Sequence, residues 1–230
     1  GKTTAIAALA LLLATGLGAH DKGFGVSSFY FETRVGYEAA FPGMDFNADA
    51  SGFRGSFLNM RLDGQICEGL TYSYRQRFNK LSDRTFFDAT DWIHIDWKAT
   101  DWFTLGGGKQ VVGIGGYEYD RAPIDLYYCS EFWNNIACYQ LGISGTFNVA
   151  PGDNLLLQVC NSPMRGYITD DSGNNVGNSK VAVNLMWYGS HGFYESIWSA
   201  NAFQNSTDSW MYYVALGNRF NITDWLRWDI

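Results

Sequence analysis

Stretch after stretch of this chain alternates apolar and polar side chains with a period of two, which restricts it to sheets with two unlike faces. In 29–37, Phe29, Phe31, Val35 and Tyr37 fall on one face, and Glu32 and Arg34 on the other. Leu58, Met60 and Leu62 oppose Asn59, Arg61 and Asp63; Leu70, Tyr72 and Tyr74 oppose Thr71, Ser73, Arg75 and Arg77. Ile93, Ile95 and Trp97 oppose His94 and Asp96, and Phe103 and Leu105 oppose Thr104 and Gly106. Tyr139, Leu141, Ile143 and Phe147 oppose Gln140, Ser144 and Thr146; Leu155, Leu157 and Val159 oppose Gln158. Val181, Val183, Leu185 and Trp187 oppose Asn184 and Tyr188, and Trp210, Tyr212, Val214 and Leu216 oppose Tyr213 and Arg219. Leu226, Trp228 and Ile230 oppose Arg227 and Asp229, while the strand expected over 193–204 alternates poorly and its phase stays open. The chain reads as all-β and antiparallel, with about ten strands and the start of another.

Full charges on one face of strand after strand do not suit a soluble sandwich, which must cover its apolar face with a second sheet. The connections also alternate. Short turns are expected near 64–69, 98–101, 148–153, 189–192 and 221–224, with mostly longer loops between them. Short turns at one rim and long loops at the other are the pattern of a transmembrane β-barrel, whose apolar face meets lipid and whose polar face lines a lumen. Trp97, Trp102, Trp187, Trp225 and Trp228 lie near the short turns, where an interfacial aromatic girdle would sit. The chain stops mid-strand at Ile230, and an open sheet edge in hydrocarbon is costly. Residues 21–230 are therefore expected to be the N-terminal part of a barrel truncated at its C-terminus.

Residues 1–20 differ: Lys2, an apolar run from Ala5 to Leu13, then small residues, which together read as a secretory signal peptide too short to span a bilayer. The net charge of −7 and pI of about 4.8 exclude a general nucleic-acid binder. Among Cys67, Cys129, Cys138 and Cys160, export permits disulfides, and a Cys129–Cys138 bridge is expected; no spacing suits a metal site. Gly106-Gly-Gly-Lys109 lacks the spacing of a phosphate-binding loop, and no serine–histidine–acid grouping points to catalysis, so neither enzyme nor cofactor is expected.

The longest interruption, 113–137, is aromatic, acidic and glycine-rich, with Tyr117, Tyr119, Tyr127, Tyr128, Phe132 and Trp133. So much apolar surface argues that it packs against the sheet. Arg34, Arg61, Arg75 and Arg77 cluster on the polar face of the first strands; the loop carries Glu118, Asp120, Arg121, Asp125 and Glu131. Folded inward, it would narrow the lumen and set carboxylates across from an arginine wall, selecting solutes by charge and size.

Particular stretches carry a resemblance. Asn59-Met-Arg-Leu-Asp-Gly64, Gly108-Lys-Gln-Val111, Gly115-Gly-Tyr-Glu-Tyr-Asp-Arg-Ala-Pro-Ile-Asp125 and Ser130-Glu-Phe-Trp-Asn-Asn135 resemble porins of Bacteroidetes-type bacteria, related to the phosphate-selective porin O and P family. The resemblance implies a sixteen-stranded, usually trimeric outer-membrane barrel with an inward-folded third loop, of which this chain would be the first ten to eleven strands. The expected partners are outer-membrane lipid, small hydrophilic solutes or ions including phosphate, and two further copies of the chain. A surface-binding or adhesin barrel, with the loop as a plug, is the alternative.

Overall fold

The computed structural model describes residues 24–230 except 82–84, 165–166, 170–174, 179 and 207. The segment read as a signal peptide lies outside the described residues. The strands are β1 (Gly25–Ala40), β2 (Asn47–Cys67), β3 (Leu70–Arg77), β4 (Thr90–Lys98), β5 (Phe103–Val111), β6 (Tyr139–Ala150) and β7 (Asp153–Asn161). After them come β8 (Tyr167–Thr169), β9 (Asn175–Asn178), β10 (Val181–His191), β11 (Tyr194–Ser206), β12 (Ser209–Asn221) and β13 (Arg227–Asp229). Strands β8 and β9 pair only with each other, as a hairpin inside the glycine- and asparagine-rich 161–179 segment. The others form one 11-stranded antiparallel meander in chain order, with β7 pairing directly with β10. No helix among the described residues is long and apolar enough to cross a membrane.

Register turns the sequence alternation into two rows. Trp97, Leu105, Gly145, Leu157, Leu185, Ala200 and Val214 are successive cross-strand partners from β4 to β12. One residue along, the partners are Asp96, Gly106, Ser144, Gln158, Asn184, Asn201 and Tyr213. The first row is apolar or small and mostly exposed, with Leu185 at 47% and Val214 at 64%. The second is polar, and Gln158 and Asn184 within it are buried at 1% and 0%. A sheet that shows leucine and valine outward and buries amides inward inverts the economy of a water-soluble protein. It fits a sheet bathed by lipid outside.

Three expectations change here. The β1–β2 hairpin is much longer than the alternation over 29–37 and 58–62 suggested, because glycines and bulges disguise its distal half. Tyr139 was expected on the apolar face, yet its ring lies 5.9 Å from that of Trp92, which hydrogen-bonds to the inner Ser73. The open phase of 193–204 is settled: Ile197, Ser199, Asn201 and Phe203 face inward, paired with Tyr188, Met186, Asn184 and Ala182. The alternation was weak there because the inner face itself carries apolar side chains, which the loop after β5 covers.

Candidate functional site: the inner face and the loop after β5

The loop enters across the polar row. Val112 and Ile114 are 1% and 3% exposed and pack with Cys160, Ala182 and Phe203 from β7, β10 and β11. Between them the backbone is docked by side chains of the sheet. Gly113 N donates to Gln158 Oε1 at 2.8 Å, Asn201 Nδ2 donates to Gly113 O at 2.7 Å, and Gly115 N donates to Ser199 Oγ at 2.8 Å. The docking groups hold one another: Asn201 Nδ2 also donates to Asn184 Oδ1, and Asn184 Nδ2 donates to Gln158 Oε1. Buried amides therefore appear on the strands because a loop backbone needs partners there.

The glycines in this stretch follow from the same closeness. A Cβ on Gly115 would sit 2.7 Å from Ile197 O and 2.9 Å from Ser199 N, and one on Gly217 would sit 2.8 Å from Gly116 Cα. Two short helices complete the loop, α1 (Tyr117–Asp120) and α2 (Glu131–Asn135). Tyr117 lies beneath the Arg219 guanidinium, 3.8 Å from its ring centroid. Burial pushes its hydroxyl up to about 12, with the nearby arginine acting in the opposite sense. Phe132 stacks on Tyr213 of β12 at 4.1 Å.

The loop touches both ends of the meander. Arg121 lies 3.2 Å from Asp229 of β13, while Arg34 of β1 donates to the carbonyls of Ile124 and Leu126 at 3.0 and 2.8 Å. Arg34 is also sandwiched between the rings of Phe57 and Tyr127 at 4.6 and 4.5 Å. One loop can reach strands at opposite ends of the sheet order only if the sheet curls around it.

The other expected arginines come together on β2 and β3. Arg61 pairs with Asp63 at 2.9 Å and stacks 5.3 Å from the Trp92 ring. Arg75 is 1% exposed, held by Glu32, and lies 3.6 Å from Asp91; Arg77 reaches Asp91 at 3.0 Å. Asp91 had not been expected. Register passes from Arg75↔Trp92 to Gln76↔Thr90, so a bulge in β4 lets Asp91 and Trp92 both turn inward. No period-two reading can show that.

Three of the four loop carboxylates do not meet this wall. Glu118 Oε1 accepts from the Ser130 amide at 2.6 Å, Glu131 Oε2 accepts from Asn135 at 3.4 Å, and Asp125 is exposed in a 3-10 turn. Two of them are used within the loop, tying down its own short helical turns. The carboxylates that meet the arginines come from the strands. Asp120 and Arg121 do face the interior, and they line a cavity of about 410 Å³ with Arg61, Trp92, His94 and Asp96. Cys129 and Cys138, expected as a bridge, are free thiols in this structure. Cys138 turns toward the buried Val112 cluster, where burial holds its thiol above the usual range.

The family model described as phosphate-selective porin O and P matches residues 29–196. The chain belongs to that family. No curated protein and no solved structure matches it. Porins of this family are bacterial outer-membrane channels for small solutes, a channel family and not an enzyme family, so the outward apolar row of this porin is its lipid face. The matched span runs from β1 into β11 and includes the whole loop. Arg219 and Asp229, which tie the loop to the last strands, lie beyond it.

Proposed function

We propose that this porin forms a water-filled channel for passive diffusion of small hydrophilic solutes or ions, and that residues 113–137 fold inward to set its narrowest cross-section. The observation that carries the reading is the docking of Gly113 and Gly115 on Gln158, Asn201 and Ser199. A loop fastened to the inner wall by buried hydrogen bonds keeps a fixed aperture, as a size filter requires. Arg61, Arg75 and Arg77 form one wall of the passage, with Asp120 and Arg121 opposite. Arg34 serves as the anchor of the loop tip. Glu118, Asp125 and Glu131 hold or flank the loop. Assembly into homotrimers, as the family resemblance suggests, belongs to the same proposal.

Planar-bilayer recording tests the reading. The full-length protein is expected to insert in discrete steps of ohmic conductance. Insertion without conductance would exclude an open channel and favour a barrel whose loop plugs the lumen.

A further inference from the structure

The cavity lining balances its full charges: Glu32, Asp96 and Asp120 stand against Arg61, Arg75 and Arg121. A pore field is the sum of all nearby charges, so in a balanced lining one further charge decides how ions are sorted. Imidazole is the side chain whose ordinary titration falls between about pH 5 and 8. Among the described residues the lining holds one histidine, His94, while His191 sits at the β10–β11 turn against Asp153.

The neighbouring strand makes room for it. The Gly106-Gly-Gly-Lys109 stretch pairs with the histidine strand, Asp96 with Gly106 and His94 with Gly108. A Cβ on Gly106 would fall 2.6 Å from Asp96 Oδ1, and one on Gly108 would fall 2.8 Å from His94 Cα and 3.1 Å from its Cβ. Against this bare strip His94 Nδ1 lies 2.9 Å from Asp96 Oδ2. That nitrogen is shielded from water and makes no aligned hydrogen bond, so nothing fixes the ring in its neutral form. A proton placed there meets a carboxylate at ion-pair distance. With 22% of the His94 side chain exposed, water in the passage can deliver the proton.

We propose that His94 sets the ion preference of this channel, taking up a proton beside Asp96 and thereby shifting permeation toward anions as the pH falls. The proposal rests on the channel reading above and goes beyond it by naming the residue and the condition that control selectivity. The groups around His94 do not cancel the change. Ser73 of β3, Gly108 of β5 and Ser144 of β6 are uncharged, and Arg61, Arg75 and Arg121 stay cationic throughout. The phenols of Tyr119 and Tyr139 and the Cys138 thiol belong to classes that ordinarily titrate above pH 8. Glu32, Asp96 and Asp120 can only lose negative charge on acidification, which acts in the same direction, and burial raises the Asp120 carboxyl. The share of His94 must therefore be isolated by substitution.

The test is the zero-current potential of the full-length protein in a potassium chloride gradient, read at about pH 8 and about pH 5.5, either side of the ordinary histidine range. The chloride-to-potassium permeability ratio is expected to rise about two- to threefold on acidification, far less in His94→Asn, and to stand near its acid value already at about pH 8 in His94→Lys. Asp120→Asn should keep most of the step. A ratio that ignores pH, one that falls on acidification, or a full step retained in His94→Asn overturns the proposal while leaving the channel intact. Should His94→Asn fail to insert, His94→Lys decides: a ratio at about pH 8 no higher than that of the native protein overturns it too. Absence of any conductance from the native protein overturns the channel reading itself.

Discussion

Replacing residues 116–135 by a short glycine-serine linker is expected to raise single-channel conductance severalfold, because it removes the chain segment that crosses the curl of the sheet from Arg34 to Asp229. The deletion also wets Phe203 and Ala182, each 0% exposed beneath the loop, so thermal stability should fall as conductance rises. A gentler version separates the two effects. Gly115→Val keeps every loop side chain but drives a Cβ into Ile197 O, so the loop must lift from the wall. Its conductance should rise by roughly twofold, with larger polyethylene glycols entering the pore. Unchanged conductance in both variants, with loss of a surface-binding activity, would transfer the loop from filter to recognition element.

Arg75→Leu is expected to cost about 3–5 kcal/mol of stability, because it leaves Glu32 beside an apolar side chain where a buried guanidinium had been. Arg75 is 1% exposed and Glu32 has 14% of its side chain in water, so solvent replaces little of the lost pairing. Asp91 suffers less, since Arg77 still reaches it at 3.0 Å. Restoring balance should therefore recover most of the loss: in Arg75→Leu/Glu32→Gln the orphaned charge is gone. Urea unfolding in detergent micelles measures both. Equal stability of the single and double variants would mean that the pair is not the reason Arg75 is buried.

What could be read from the sequence was whatever depends on the pleat alone. Leu157, Leu185 and Val214 face outward and Gln158 and Asn184 inward because neighbouring residues on a strand must point oppositely, whatever surrounds them. The inward packing of the loop was legible too, since Tyr117, Tyr119 and Phe132 had to be buried somewhere. What escaped depends on partners far apart in sequence. Asp91 joined Arg75 and Arg77 only through a bulge, and Ile197 and Phe203 faced inward only because the loop supplied them an apolar lid. Charge complementarity alone predicts the loop carboxylates against the arginine wall. Glu118 and Glu131 are instead bound within the loop. Local needs of a short segment took precedence over a long-range attraction that strand carboxylates already satisfied.

A porin of this kind depends on one division of its sheet, hydrocarbon on one face and water on the other. Nitroxides attached through ketone-bearing residues, which leave the native cysteines in place, can be walked along β4 in reconstituted membranes. Labels at Ile93, Ile95 and Trp97 should relax with dissolved oxygen and be shielded from a water-soluble nickel reagent. Labels at His94 and Asp96 should respond in the reverse sense. A profile without this two-residue alternation, or one with His94 and Asp96 on the oxygen-rich side, would contradict the account.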